Sequence, residues 1–553
     1  MTSASTQADV IIVGAGPVGL LLACELGIRG VSVILVEEQA GIVPHPRANT
    51  QSARSMEIYR RHGLSSKLRQ QGLPRHRKTD VGYFVRLFDR ELFRVSLPSP
   101  SDAEATVRTG DQRWPTPEPQ FRISQMEIEP ILLERAREFR SVHIRFDCKA
   151  AAVAQDEHLV RLTVSKGGSK TNEVLSASYL VGCDGGRSFV RASLGIRLLG
   201  DSGLEMDFMG GRMLATHFRA PNLMSKFPHA DTWMNWIMHP AARSIILPIN
   251  IASGEFLMHF QLADEAKIEN VDFASRLADA VGTTVPHHVI SMKEWRAGIG
   301  LVAKRYRERR VFIAGDAAHL FTPTGGFGMN TGIEDAFNLA WKLAMVCQGR
   351  APAALLDSYE QERQPVGRRN ARHALQLAER NGACPVSNAL DEEGDVGDAA
   401  RAATTRHLAL FARNEFDTPG VQLGVRYDHS AIVQKSDERP PVDAPTEYVP
   451  SGVPGGRLPH VWLSGGESLF DKLGPEFTLL RLKTINAAGS WKEAARSAGV
   501  TLTVLDVQES DALKALIGDE CVLVRPDQHI AWRGKSNVAN PERILHAAVG
   551  GGW

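Results

Sequence analysis

Cysteine is scarce in this chain: six in 553 residues, scattered at Cys24, Cys148, Cys183, Cys347, Cys384 and Cys521. There is no CxxC and no His/Cys/Asp/Glu set with metal-ligand spacing, so a disulfide framework, a dithiol redox centre and a metal site are not expected. Reduced thiols fit a cytoplasmic protein. Net charge is nearly absent as well: 64 Lys and Arg against 63 Asp and Glu leave +1. That removes the basic footprint of a nucleic-acid binder. Long apolar runs are missing, and the start, MTSASTQADV, has no charged-then-apolar leader. Neither a signal peptide nor a membrane span is expected. The remaining composition, 43% hydrophobic and 23% charged, is that of a globular chain long enough for two or three domains.

Glycine is plentiful, and it is placed with a pattern. The apolar run Asp9–Val13 reads as a buried parallel strand, GLLLACELGIRG as a helix and VSVILVEE as a second strand. Between strand and helix stands Gly14-Ala15-Gly16-Pro17-Val18-Gly19, a GxGxxG fingerprint. Gly14 permits the tight turn, Gly16 lets a pyrophosphate approach the backbone, and Gly19 lets helix and strand pack closely. Glu37 ends the second strand, where a carboxylate accepts hydrogen bonds from ribose hydroxyls; with Glu38 beside it, a 2′-phosphate is disfavoured. The fingerprint alone does not distinguish NAD from FAD.

Two further predicted strands end in an acid next to glycine: Asp184-Gly185, with Ser188 and Arg191 on the helix that follows, and Gly315-Asp316. After the latter, a loop rich in Gly, Thr and Pro leads to a helix expected from about Gly332. Gly325, Gly326 and Gly328 would let backbone approach a ligand where a β-carbon would clash. Pro323 would stiffen the loop, Asn330 would add a side-chain contact, and Asp335 would complement the helix dipole in its first turn. Trp341 reads as core packing and His319 as an ordering hydrogen-bonder. The middle of the chain changes character: TWMNWIM and SIILPINI read as antiparallel strands. Alternation puts Met234, Trp236 and Met238 on one face and Trp233, Asn235 and Ile237 on the other, without saying which faces a ligand. Residues 434–456 are proline-rich and polar, a linker, and the tail alternates as strand, helix, strand, strand.

The combination GAGPVG, CDGGRSFVR and GDAAH, with PRANTQSARSMEI, SQMEIEPILLERA and LLDSYEQERQPVG, resembles the single-component FAD-dependent aromatic hydroxylases, built like p-hydroxybenzoate hydroxylase and phenol hydroxylase. The tail resembles the thioredoxin-like C-terminal domain of the phenol and hydroxybiphenyl hydroxylase branch. Without CxxC, that domain would serve packing or a homodimer contact. The resemblance implies an α/β architecture in these parts: a Rossmann-like FAD-binding domain over 1–205 and 291–385, an antiparallel-sheet substrate domain over 206–290 with about 80–120, a helical linker segment over 386–455, and the tail over 456–553. By the same resemblance Gly14, Gly16, Pro17, Val18, Gly19, Glu37, Arg47, Gln125, Asp184, Asp316, Gly326, Gly328, Met329 and Asn330 bind FAD, with Asp316 on the ribityl chain and Arg47 and Gln125 near the ribose or pyrophosphate. Asp184 and Arg191 would shape the passage for FAD and NAD(P)H.

The chemistry implied is reduction of FAD by NAD(P)H, addition of O2 to give a flavin C4a-hydroperoxide, and attack by an electron-rich phenolic ring. Water must be excluded. His217, His259 and Asn235 are candidates to take the phenolic proton, and Met234, Trp236, Met238 and His259 are candidates to contact the substrate. Asn49 and Pro323 complete the catalytic candidates. Relatives of the hydroxybiphenyl type carry a histidine after the Pro-Arg pair; here Asn49 stands there, and an amide cannot take a proton. Either another group does, or the substrate arrives ionised, as a nitrophenol or nitrocatechol would, with nitrite as a product. Hydroxylation of a polyketide or antibiotic is the alternative, and a flavoprotein-fold binding protein without activity the more distant one.

Overall fold

The computed structural model describes residues 7–42, 45–167, 172–201, 203, 208–482, 488–507, 511–518, 521–535 and 537–552. The strand Ala8–Val13 is apolar on both faces, so it takes the centre of a sheet covered on both sides. It runs parallel to Val33–Val36 on one side and Asn172–Gly182 on the other, and Val311–Ile313 extends the sheet beyond Asn172–Gly182. Gly14 has φ +106°, and a β-carbon there would lie 2.4 Å from the Cys183 carbonyl oxygen. The strand therefore turns at once into the helix Pro17–Ile28, which carries Pro17 in its first turn. The long helix Phe327–Cys347 packs on Pro17–Ile28 so tightly that a β-carbon on Gly332 would come within 2.6 Å of Val18 Cγ2.

A second, seven-stranded sheet runs in the order 288–297, 211–219, 255–261, 244–250, 234–237, 81–84, 91–95. Its strands Met234–Ile237 and Ser244–Asn250 are antiparallel, while Met234–Ile237 runs parallel to Val81–Phe84. One face, with Ile237, Phe256, Met258 and Phe260, is sealed by the helix Phe273–Val281. The other, with Tyr83, Trp236, Leu247 and Leu257, packs with Leu408 of the helix Asp395–Phe411 and with Phe416. The strand His288–Ala297 pairs with Gly211–Arg219 from His288↔Arg219 to Ala297↔Gly211, so this sheet runs past the boundary expected at 291. The boundary expected between 205 and 206 lies outside the described residues.

The C-terminal sheet has the order 502–506, 477–481, 521–524, 530–534. Helices Asp511–Ile517 and Pro541–Ala548 join it beyond the pattern read from the tail. Trp341, on the long helix, reaches this unit: its ring meets Phe477 edge-on at 5.6 Å. Among the described residues no helix is long and apolar enough to cross a membrane.

Candidate active site

Register brings the three glycine-acid motifs to one place. Val13 is aligned with Val36 and Gly182, and Gly182 with Ile313, so Gly14, Glu37, Asp184 and Asp316 emerge from neighbouring strands at the same carboxyl edge of the sheet. This is the edge where open α/β sheets bind ligands.

Glu37 holds the first loop, accepting from the Ala15 backbone N–H at 2.8 Å and the Gln39 N–H at 3.0 Å. Two of a carboxylate's four acceptor positions remain for hydroxyls. A β-carbon on Gly16 or on Gly328 would meet no protein atom within 4 Å, so at both positions the backbone faces open space. The helices Pro17–Ile28 and Phe327–Cys347 both begin at a glycine, Gly16 and Gly326, with no side-chain cap. Their first N–H groups, and the partial positive charge of each helix end, point at that space.

Asp184 turns inward instead. It accepts from Ser188 Oγ at 2.5 Å and from the Val190 N–H at 2.9 Å, and burial raises its carboxyl above the usual range. Arg191 donates to the Gly186 and Ala317 carbonyls and so ties the second motif to the third. Asp316 and Arg47 are exposed, and the exposed Pro323 opens the loop that leads to Gly326. Asp316 reaches solvent, yet the protein around it is dense enough to raise its carboxyl, with His319 and Arg47 opposing the rise. Gln125 donates to Glu129 Oε1 at 2.6 Å, and its backbone N–H binds the Ala48 carbonyl, one residue from Arg47. Met329 is half-buried against the sheet core.

Three expectations are corrected here. The long helix starts at Phe327 rather than near Gly332, because Gly325 and Gly326 both adopt positive φ and turn the chain into it. Asp335 consequently sits in the third turn, fully buried, where it accepts from the Gly315 N–H, His319 Nε2 and Arg363 Nε. Burial raises its carboxyl, but His319 and Arg363 outweigh this and hold it below the ordinary range. Asn330 has no capacity left for a flavin. Its amide nitrogen donates to the Thr50 and Gly326 carbonyls, and its oxygen accepts from the Ser52 N–H and Ser55 Oγ. It clamps the segment that carries Asn49, whose own oxygen accepts from Thr50 Oγ1 at 3.1 Å.

The seven-stranded sheet turns one face toward this edge. Ser291, opposite His217 in register, bonds His45 Nδ1 at 2.9 Å, two residues before Arg47. His217, His259, Met234, Trp236 and Met238 share that face with Tyr83, which stacks on Trp236 at 5.7 Å. Asn235 lies on the opposite face, bonded to Thr232 and the Ile246 carbonyl, because alternation turns it away. Trp233 precedes the strand, escapes the alternation and joins the same core as Trp236. His217 Nε2 bonds Glu255 at 3.1 Å. Burial, first, and neighbouring cations or histidines lower His45 and His259 to about 4, and burial lowers His217 despite Glu255.

Six buried polar atoms on or beside this face have no hydrogen-bond partner among the described residues: Tyr83 Oη, Arg122 Nη2, His217 Nδ1, Trp236 Nε1, His259 Nδ1 and Trp295 Nε1. Buried polar groups are nearly always paired, so this face is the candidate ligand wall. Arg122 and Tyr83 stand in no motif that would mark them as site residues.

The result is a cradle of two uncapped helix ends, which favour anionic groups, the carboxylates of Glu37 and Asp316 at the same sheet edge, and open backbone at Gly16 and Gly328. The donor set fits FAD. Residues 7–374 match the FAD binding domain family, and 451–551 match the C-terminal domain of aromatic-ring hydroxylases. The chain is 31% identical to aklavinone 12-hydroxylase RdmE of Streptomyces purpurascens, over 98% of each. It is 29% identical to 4-methyl-5-nitrocatechol 5-monooxygenase of a Burkholderia species, over 99% of this chain and 98% of that one. The solved structure of the rebeccamycin biosynthetic enzyme RebC with reduced flavin superposes with a TM-score of 0.86 at 31% identity, covering 99% of this chain and 100% of RebC.

Proposed function

This chain belongs to the FAD-dependent aromatic-ring hydroxylases, and we propose that its substrate is a phenol that enters the site already ionised, a nitrophenol or nitrocatechol in the simplest form. As a member of the family it is an NAD(P)H- and O2-dependent monooxygenase. FAD, when bound, supplies the transfer of one oxygen atom from O2 to the ring. The chain binds and orients both partners, excludes water and offers charge where charge develops.

One observation carries the substrate reading: the ligand wall offers donors and, among the described residues, lacks a competent base. Tyr83, Trp236 and Arg122 present free N–H or O–H groups. The histidines on the wall are poor proton acceptors, since His45 and His259 fall to about 4 and His217 is lowered too. Efficient general-base catalysis wants a group near the working pH, and Asn49 cannot serve. A ring that has lost its proton in solution needs no such group. Oxygen transfer to a nitro-bearing carbon expels nitrite and leaves a quinone; the second oxygen of O2 leaves as water, using the two electrons of one NAD(P)H. The relative that acts on 4-methyl-5-nitrocatechol supports this reading.

The stacked Tyr83–Trp236 pair also suits a flat polycyclic ring, which keeps hydroxylation of an aromatic polyketide as the second reading. We read the C-terminal sheet, with its parallel pair 477–481 and 502–506 and antiparallel 521–534 hairpin, as a thioredoxin-like unit that serves packing. The experiment is NAD(P)H oxidation and nitrite release by the yellow holoenzyme with 4-nitrocatechol, phenol and a tetracyclic hydroxyquinone. Stimulation by 4-nitrocatechol with stoichiometric nitrite is expected. Stimulation by the tetracycle alone transfers the assignment to the second reading.

A further inference from the structure

Among the described residues, the buried arginines have carboxylate partners, with one exception. Arg363 bonds Asp335 and Glu334, Arg525 bonds Glu362 and Asp527, and Arg457 bonds Glu57. Arg122 is 4% exposed and forms no ion pair among the described residues. Burial lowers its guanidinium to about 9, with no acid among the described residues near enough to restore it, and it still carries its charge at neutral pH. A buried, unpaired cation is among the costliest arrangements a fold can keep.

Its position explains what it awaits. Arg122 and Thr50 face each other in a short antiparallel pair, and Nη1 donates to Thr50 Oγ1 at 2.7 Å. Thr50 in turn lies against Gly326, the first residue of the uncapped helix end: a β-carbon there would sit 3.3 Å from Thr50 Cβ. The guanidinium carbon lies over Trp233, 4.2 Å from the ring centre, in the core that also holds Tyr83 and Trp236. Nη2, buried, has no partner. Arg122 thus stands at the seam between the flavin cradle and the substrate wall, fixed by one hydroxyl and one indole.

We propose that Arg122 anchors the substrate anion, its free Nη2 receiving the oxyanion of the aromatic ring that is to be hydroxylated. The anchor rests on the ionised-phenol reading above and names the group that makes ionisation selective: a neutral phenol or an aryl ether leaves the guanidinium unpaired. Arginine suits the place because its flat fork holds a fixed direction while its face rests on Trp233.

The test titrates the substrate-free holoenzyme with 4-nitrophenolate and with its methyl ether, 4-nitroanisole, comparing wild type with R122M and R122K. Wild type is expected to prefer the anion by about tenfold or more, the scale of one charge-assisted hydrogen bond. R122M is expected to lose that preference with ether affinity and FAD content retained and a Tm no lower than wild type, since relief of an unpaired buried cation offsets the lost Thr50 hydrogen bond. R122K is expected to restore part of it; should R122M misfold, R122K and R122Q carry the comparison. Unchanged anion affinity in R122M overturns the anchor, and so does a wild-type holoenzyme that binds neither compound. A lowered flavin midpoint potential in substrate-free R122M with unchanged nitrophenolate affinity also overturns it, assigning the cation to reduced flavin. Arg122-dependent binding of nitrophenolate without faster NAD(P)H oxidation supports the anchor and rejects the proposed substrate class.

Discussion

Asp335 accepts from His319 Nε2 at 2.7 Å and from the Gly315 backbone N–H with the same oxygen, Oδ2, while Arg363 holds Oδ1. One fully buried carboxylate, in the third turn of the long helix, therefore sets the shape of the loop that presents Asp316. Asp335→Asn keeps the volume and removes the charge that offsets Arg363. We expect a loss of about 3 kcal/mol, the low end for breaking a buried pair because Glu334 still faces Arg363. FAD affinity should fall with it, since Asp316 loses its fixed frame. Thermal unfolding and FAD titration of the apoprotein check both.

Asn330 tests a different support. Its four hydrogen bonds hold the Thr50–Ser55 segment against the helix start. Asn330→Ala strands buried partners at about 1–3 kcal/mol each before relaxation. The expected readout is a looser pocket: more hydrogen peroxide formed per NAD(P)H oxidised. Full coupling retained in the variant would show that the clamp is not needed for water exclusion.

Gly14 and Gly16 separate folding from binding. A side chain at Gly14 collides with the Cys183 carbonyl and meets an unfavourable φ, so Gly14→Ala should fail to fold. At Gly16 a β-carbon meets no protein atom, so Gly16→Val should fold and be colourless. Its FAD Kd should rise about 100-fold, roughly 2.7 kcal/mol. Circular dichroism and bound-flavin absorbance distinguish the two outcomes.

Tyr83 is expected to show opposite signs in stability and binding. Its hydroxyl is buried with no partner, a cost of about 1 kcal/mol or more in the ligand-free protein. Tyr83→Phe should raise the Tm without substrate and weaken substrate binding several-fold. A variant that lowers the Tm would mean that the hydroxyl has a protein partner.

Acid should release the C-terminal unit. Glu362 is fully buried; burial raises its carboxyl, but Arg525 and Lys342 more than reverse this and bring it from 4.5 to about 2. A carboxyl depressed in the fold adds stability above its unfolded value and loses it as pH falls through the folded one. Docking held by the Arg525–Glu362 pair should therefore weaken between about pH 4.5 and pH 2, ahead of the parallel sheet. Limited proteolysis across that range, with cleavage appearing first within 434–456, checks it.

Much of the glycine-lined cradle at the sheet edge was legible in the chain itself. GAGPVG, CDGG and GDAA each carry a local requirement, a turn or a close approach, that few residues other than glycine meet, and an acid at a strand end is a local pattern as well. The helix start near Gly332 was misplaced because Gly328 and Gly332 resemble loop residues, although inside the helix they serve open approach and contact with Val18. Asn330 differs from the expectation because three of its four partners, on Thr50, Ser52 and Ser55, lie 275–280 residues away.

The sequence by itself determined that three acid-ended strands and a glycine-lined helix start exist, since backbone geometry and short-range sterics write themselves into neighbouring residues. Tertiary structure alone decided that their ends align at one sheet edge, that Met234, Trp236 and Met238 face it while Asn235 turns away, and that Arg122 is left without a counter-charge. Such facts depend on strand register and on which distant carboxylates arrive nearby. Long-range pairing sets both, and no local window of residues records it.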